Sequence, residues 1–292
     1  MKYRRSLAII VLPVVSLCLS GICLGQRGWP QQRGGGLPSD RAGIPNWKVD
    51  PKFKHDVFTF VRVEYDSGGG RGGYGRRGGR GGGGGGWRTD WPDSDLNFSF
   101  RLQQLTSLKV NPDPISLRVT DPKLYDYPFI YMIEPGRLSF SEEEVVALRK
   151  YLLSGGFLMV DDFWGDSQWE NFHQQIKRVF PDREPLELPL SHEIFQCVYR
   201  LKERPQVPSI GAAYQGREQG ITFEMFHDGN TRDVHYRGIF DDKNRMMAII
   251  CHNTDLGDGW EREAEDPWYF KEFSEKKAYP MGINIVTYAM TH

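Results

Sequence analysis

From residue 53 onward, short apolar runs alternate with stretches of helical spacing. DVFTFVRVEY (56–65) steps between apolar and polar positions in β-forming residues and predicts a first strand. In SDLNFSFRLQQLTSL (94–108), Leu96, Phe100, Leu102, Leu105 and Leu108 recur near helical spacing, with Ser94 or Asp95 placed to cap the start. ISLRV (115–119) and PFIYMIE (128–134) have the character of buried strands, joined by the polar turn TDPKLYDY. SEEEVVALRKYLLSGG (141–156) predicts a helix: Ser141 caps it, Glu142, Glu143 and Glu144 suit its positive N-terminal dipole, and Gly155 or Gly156 stops it. FLMVDDF (157–163) predicts another buried strand, and WENFHQQIKRVF (169–180) an amphipathic helix ended by Pro181. Buried strand alternating with helix implies an α/β fold, a doubly wound and mostly parallel sheet covered on both faces. VHYRGIF and RMMAIICHN around DDKN (234–253) predict an antiparallel hairpin added to that sheet, and MGINIVTYAMTH (281–292) a closing helix.

The pattern before residue 53 is different. Lys2, Arg4 and Arg5 precede an apolar run from Leu7 to Leu24, and Gly25 follows as a small residue, which predicts a secretory signal peptide over residues 1–25. A retained membrane anchor is the competing reading. Pro13 interrupts the run, no basic cluster follows directly, and a spanning helix prefers about 20 apolar residues. Ile22 before Cys23 argues against a lipoprotein. The chain is therefore expected to be exported, periplasmic or extracellular, with no membrane span after cleavage. Residues 26–52, rich in Gln, Gly, Pro and Arg, predict a disordered linker. Residues 53–292 then form one α/β domain with a disordered Gly/Arg-rich loop at 67–86.

Composition sharpens this picture. The net charge of -1 hides an asymmetry, for residues 26–90 are basic and residues 91–292 acidic. SGGGRGGYGRRGGRGGGGGGWRTDWP (67–92) has the look of an RNA-binding tail, but it joins a strand to a helix on an acidic body, so nucleic acid is not the expected partner. Doubling a flexible loop costs only about 0.6 kcal/mol, so an expanded loop is the simpler reading. Weak binding to anionic envelope polymers is the functional option for it. Cys18 and Cys23 leave with the signal; Cys197 and Cys251 remain, either paired or separately buried, and they do not make a disulfide framework.

VTDPKLYDYPFIYMIEPG and LSFSEEEVVALRKYLLSGGFLMVDDFWGD resemble the bacterial domain-of-unknown-function family 4159, as do WRTDWPDSDLNF (87–98), SHEIF (191–195), HNTDLGDGWE (252–261) and GINIVTYAMTH at the end. The resemblance covers about residues 53–292. The order of strand, LYDY, strand, helix, GG and strand also resembles the class I glutamine amidotransferase-like superfamily, which implies a flavodoxin-like sheet. No glycine-flanked cysteine follows a strand here, so the amidotransferase nucleophile elbow has no counterpart.

Ligands in open α/β sheets collect at the carboxyl ends of the strands. Asp161 and Asp162 end the FLMV run; because neighbours on a strand point to opposite faces, only one is expected to reach the crevice. His192 follows ELPL, and His252, Asn253 and Asp255 follow MAIIC, so these residues are candidates to hold a polar ligand if their strand ends face the same crevice. Trp164 stands with Trp87, Trp91, Trp169, Trp260 and Trp268, mostly in loops, either as a sugar platform or as plugs at the sheet rim. No His-x-x-His spacing occurs, and Gly257 breaks the EF-hand template in NTDLGDGWE, so no metal and no cofactor is expected. The expected function is a non-catalytic domain binding a protein or carbohydrate ligand. The alternative is a hydrolase or carbohydrate-modifying enzyme using the same carboxylates and histidines.

Overall fold

Runs that are apolar on both faces must be covered on both faces, and they organise the molecule around one sheet. The structure, a computed structural model, describes residues 37–53, 56–68, 86–263 and 265–292. The signal segment, residues 26–36 of the linker and residues 69–85 of the Gly/Arg tract lie outside the described residues. In chain order the strands are β1 (Val61–Glu64), β2 (Ile115–Arg118), β3 (Phe129–Ile133), β4 (Phe157–Asp161), β5 (Leu186–Glu187), β6 (His235–Phe240) and β7 (Met246–His252). Their spatial order is β2-β1-β3-β4-β7-β6-β5. The strands from β2 to β7 run parallel, and β6 and β5 extend the sheet antiparallel.

The expected hairpin forms, but β7 is no peripheral addition. All seven of its residues are buried, and it pairs in parallel with β4 through Met159↔Ile249. MMAIICH is too apolar on both sides for an edge, so the hairpin enters with β7 inward and β6 outward.

The helices are α1 (Asp93–Leu105), α2 (Glu142–Leu153), α3 (Gly165–Val179), α4 (Ile210–Gly216), α5 (Leu256–Glu261), α6 (Pro267–Tyr269) and α7 (Tyr279–Thr291), with a π-helical stretch over Phe270–Ala278 leading into the last. Ser141 caps α2 through a reciprocal pair: its Oγ accepts from Glu144 N–H at 3.2 Å, and Glu144 Oε2 accepts from Ser141 N–H at 2.9 Å. Alternate strand residues serve two cores. Phe60, Tyr131, Met159 and Ile249 pack with Phe98, Trp260 and Ile283 on the α1, α5 and α7 side. Val61, Met132, Val160 and Ile250 pack with Leu148, Phe172 and Ile176 on the α2 and α3 side. Among the described residues no helix is long and apolar enough to cross a membrane.

One charge sits inside the first core. Arg62 of β1 is fully buried and pairs with Asp95 in the first turn of α1, its Nε 3.1 Å from Oδ1 and its Nη2 on Oδ2. The guanidinium also donates to Ser94 Oγ at 2.8 Å and to the carbonyls of Trp87 and Thr89. This one side chain therefore fastens the segment before α1 across the end of β1. Part of the segment predicted as linker is also fastened: Trp47 Nε1 donates to the Val110 carbonyl at 2.8 Å, its ring meets Phe100, and Arg41 pairs with Asp113. An indole and a guanidinium with partners within reach hold an otherwise weakly apolar stretch.

Removing one member of a buried pair leaves the other charge uncompensated. Arg62→Met is expected to cost about 3–5 kcal/mol in urea unfolding. Adding Asp95→Leu should recover part of that loss, with the Trp87 and Thr89 carbonyls still unmet. Equal stability of Arg62→Met and the parent would show that the pair does not hold the fold.

Candidate functional site

Three adjacent parallel strands end in the same way. Glu134 follows β3 with φ 48°, Asp162 follows β4 with φ 55°, and Asn253 follows β7 with φ 60°. Asp90, in the loop before α1, adopts φ 60°. Left-handed backbone at a residue with a side chain costs of order 1–3 kcal/mol, and such residues gather at functional sites. Here the turns aim polar side chains into the carboxyl edge of the sheet.

The result is a roofed cluster of carboxylates. Asp161 is 0% exposed, Asp255 and Asp258 5%, and Asp162 9%. Asp161 Oδ2 accepts from the Tyr131 hydroxyl at 3.1 Å and from Gly257 N–H at 3.0 Å, while its Oδ1 has no hydrogen-bond partner. Asp162 Oδ1 accepts from Trp164 Nε1 at 3.2 Å. Asp255 caps α5 by accepting from Asp258 N–H at 2.7 Å, and Asp258 Oδ2 accepts from Ile210 N–H at 2.8 Å. Glu134 accepts from Gly86 N–H, so the described ends of the Gly/Arg tract, Ser67–Gly68 and Gly86, lie beside the end of β3. Glu224 closes another side, taking Ser209 N–H at 2.9 Å and lying 2.8 Å from His227 Nε2. Gly257 is required where it stands: a methyl there would sit 2.9 Å from Tyr131 Oη and 3.1 Å from Asp90 Oδ2.

Burial sets the protonation of these groups. It pushes the Asp161 carboxyl up to about 7, against the opposing pull of Gly257 N–H and the Tyr131 hydroxyl. Asp90, Asp162 and Asp255 are held well above the ordinary carboxylate range, by burial first and then by one another and their acidic neighbours. Asp258 and Glu261 are raised by burial, with Arg262 pulling the other way. Arg62 is matched by Asp95, and Arg137 pulls on Glu134. The strand ends thus carry more carboxylates than positive charges.

Four of the sequence-predicted residues meet here: Asp161, Asp162, Trp164 and Asp255. Alternation along β4 predicted that only one of the two aspartates would reach the crevice. The left-handed turn at Asp162 breaks that alternation and brings both into the cluster. Asn253 is a structural bolt: its Oδ1 accepts from Gly165 N–H at 2.9 Å, and its Nδ2 donates to the carbonyls of Asn230 and Asp233. His252 lies on the α3 side, the opposite face from Asp161, against Phe163 and Trp169. Its Nε2 meets the Gly165 carbonyl at 3.1 Å and its Nδ1 faces Arg237, and burial lowers its pKa to about 3, so it stays neutral. His192 is at the other end of the sheet. Its ring packs on Phe240 and Tyr288, and its Nδ1 accepts from Ile194 N–H. Trp164 and Trp260 are buried, so neither offers a stacking face to a sugar from solvent.

A family model described as "Domain of unknown function (DUF4159)" matches residues 59–290. The chain belongs to the DUF4159 family. No curated protein matches it. The DUF4159 match contains every member of the cluster, including Asp90, Glu134, Asp258 and Glu261, which sequence reasoning did not single out. Glu134 carried a signal of the right kind, since it follows PFIYMI as Asp162 follows FLMVD. Asp90, Asp258 and Glu261 lie in the motifs WRTDWPDSDLNF and HNTDLGDGWE, but their meeting depends on α1 and α5 lying side by side.

Two outcomes follow for this DUF4159 domain. Asp161 binds its proton more tightly when folded, so below about pH 4 its carboxyl is protonated in both states and its contribution to stability is fully present. Between about pH 4 and 7 the unfolded chain releases that proton first, and stability falls by about 1.4 kcal/mol per pH unit from this group. The melting temperature is expected to drop as pH rises from 5 to 7, and Asp161→Asn should make the drop shallower, the other raised carboxyls keeping the rest of it; a flat profile in the parent would contradict the buried carboxyl. Gly257→Ala should destabilise by about 1–3 kcal/mol through overpacking. Gly211→Ala in α4, where an added methyl meets nothing within 4 Å, should instead gain about 0.5–1 kcal/mol.

Proposed function

We propose that this protein is a non-catalytic binding domain whose site is the carboxylate cluster at the ends of β3, β4 and β7. The observation that carries this reading is the closure of the cluster. Asp161, Asp162, Asp255 and Asp258 are roofed by Trp164 and by the chain from Pro205 to Ile210, where Gln206 Nε2 bonds the Asn253 carbonyl and Val207 N–H donates to Thr254 Oγ1. Hydrolysis at this edge calls for a nucleophile and base within reach of one substrate atom. The candidates lie apart from one another: His252 is neutral on the far face, His192 is at the far end, and burial raises both cysteine thiols. An excess of buried carboxylates favours a ligand that brings positive charge or hydrogen-bond donors.

Two finer readings belong to the same proposal. The order β2-β1-β3-β4-β7 corresponds to the 2-1-3-4-5 order of flavodoxin-like sheets, which supports descent from the glutamine amidotransferase-like superfamily with its nucleophile elbow absent. The basic n-region and apolar run before Gly25 support export with cleavage there, giving a mature chain that begins near Gln26.

Thermal-shift screening of the mature chain against multivalent amines, amino sugars, neutral saccharides and metal salts, alongside chromogenic esters, amides and glycosides, tests the function. At least one cationic or donor-rich compound should raise the melting temperature of the parent and not that of Asp162→Asn. Turnover that disappears in Asp161→Asn and Asp162→Asn would instead establish the hydrolase. Mass measurement of the N-terminus in secreted material tests export.

A further inference from the structure

We propose that Asp90, Asp258 and Glu261 together hold a hard divalent cation. One oxygen from each lies within 4.8 Å of the others, a spread that oxygens around a single ion at about 2.0–2.6 Å can adopt. Asp258 and Glu261 stand three residues apart on α5 and so share a face, and Asp90 reaches them from the loop before α1. The inference deepens the proposed binding reading and rests on it only for the location.

A second observation points to a ligand. Asp90 Oδ2 is buried and makes no hydrogen bond, although a buried carboxylate oxygen without a partner is costly. It faces the space beside Gly257, where a side chain would intrude. Asp161, fully buried on the N–H side of the same glycine, also leaves Oδ1 without a partner. The charges present do not balance the trio. Arg262 lies 2.6 Å from Glu261 Oε2 and 3.4 Å from Asp258 Oδ1, one cation against three carboxylates, and the Arg62 guanidinium is committed to Asp95. Asp258 Oδ2 takes Ile210 N–H, which holds that carboxylate in place.

Donor chemistry sets the class of ion. All three groups are carboxylates, which select Mg²⁺, Ca²⁺ or Mn²⁺ over softer metals. Cys251 is a buried thiol on β7, and His252 has both ring nitrogens engaged on the opposite face.

The test uses the full chain, stripped with chelator and dialysed, titrated calorimetrically with Mn²⁺, Ca²⁺ and Mg²⁺ in separate arms, with Mn²⁺ binding read independently by electron paramagnetic resonance. The expected result is one equivalent bound, weakened at least tenfold in Glu261→Gln and in Asp90→Asn and unchanged in the surface control Glu142→Gln. Circular dichroism establishes that each variant is folded, and if Asp90→Asn is not, Glu261→Gln decides, since its partly exposed side chain touches only Arg262 among the described contacts. No heat or spectral change with any of the three ions at millimolar concentration overturns the proposal. So does binding that the two substitutions leave intact. Absence of ion binding alongside a thermal shift by an amine or saccharide that needs Asp162 would remove the cation while leaving the strand-end binding site in place.

Discussion

The bidentate contact between Arg62 and Asp95 is the constraint on which the carboxylate-rich edge of this protein depends. A guanidinium at zero exposure can be kept only if its charge and its N–H groups are met, and they are met by Asp95, Ser94 and the carbonyls of Trp87 and Thr89. Those partners all lie in the first turn of α1 or in the segment leading into it. Meeting them draws that segment over the end of β1 and delivers Asp90 to the cluster. The same contact explains the cluster's charge. Arg62 is paired with Asp95, and its pull on Asp90 is outweighed by burial and by the neighbouring acids, so Asp90, Asp161 and Asp162 hold their protons to unusually high pH.

Much of the fold could be read from the chain, and the reasons are local. The Ser141 cap of α2, the stop at Gly155 and the apolar runs of β3 and β4 are short-range features, and each stands where its residues predicted. The place of β7 was less legible: a hairpin shows which strands are neighbours, but not which of them meets the rest of the sheet. Trp47 and Arg41 show the same limit in a polar stretch, since their partners Val110 and Asp113 are more than sixty residues away.

The site was legible in part for a related reason. The rule that ligands meet the carboxyl ends of parallel strands led to Asp161, Asp162 and Asp255, and Trp164 came with them. It also drew in His252 and Asn253, whose positions are right along the chain but wrong in direction. His252 has the parity of Ile250, which packs toward α3, and so points away from Asp161; Asn253 is consumed by loop carbonyls. Strand parity applied to β4 and β7 together would have separated His252 from Asp161. It would not have foreseen the left-handed turn that restores Asp162, because that conformation is stabilised by surroundings remote in sequence, among them Thr254, whose carbonyl accepts from Asp162 N–H.

Closure and acidity together constrain what such an edge does. Asp161, with its carboxyl near neutrality, has the proton affinity of a general acid or base, yet it is wholly enclosed and its hydrogen-bonding neighbours are Tyr131 and the backbone of Gly257. A group in that position exchanges a proton or a small ion more readily than it attacks a substrate. The left-handed residues Asp90, Glu134 and Asp162 add conformational cost to a place that already carries the cost of desolvated charge. Two adjacent strand ends and the loop before α1 built in this way cost the fold more than apolar or glycine turns would. On the proposed binding reading, a positively charged occupant would offset the cost of these desolvated carboxylates.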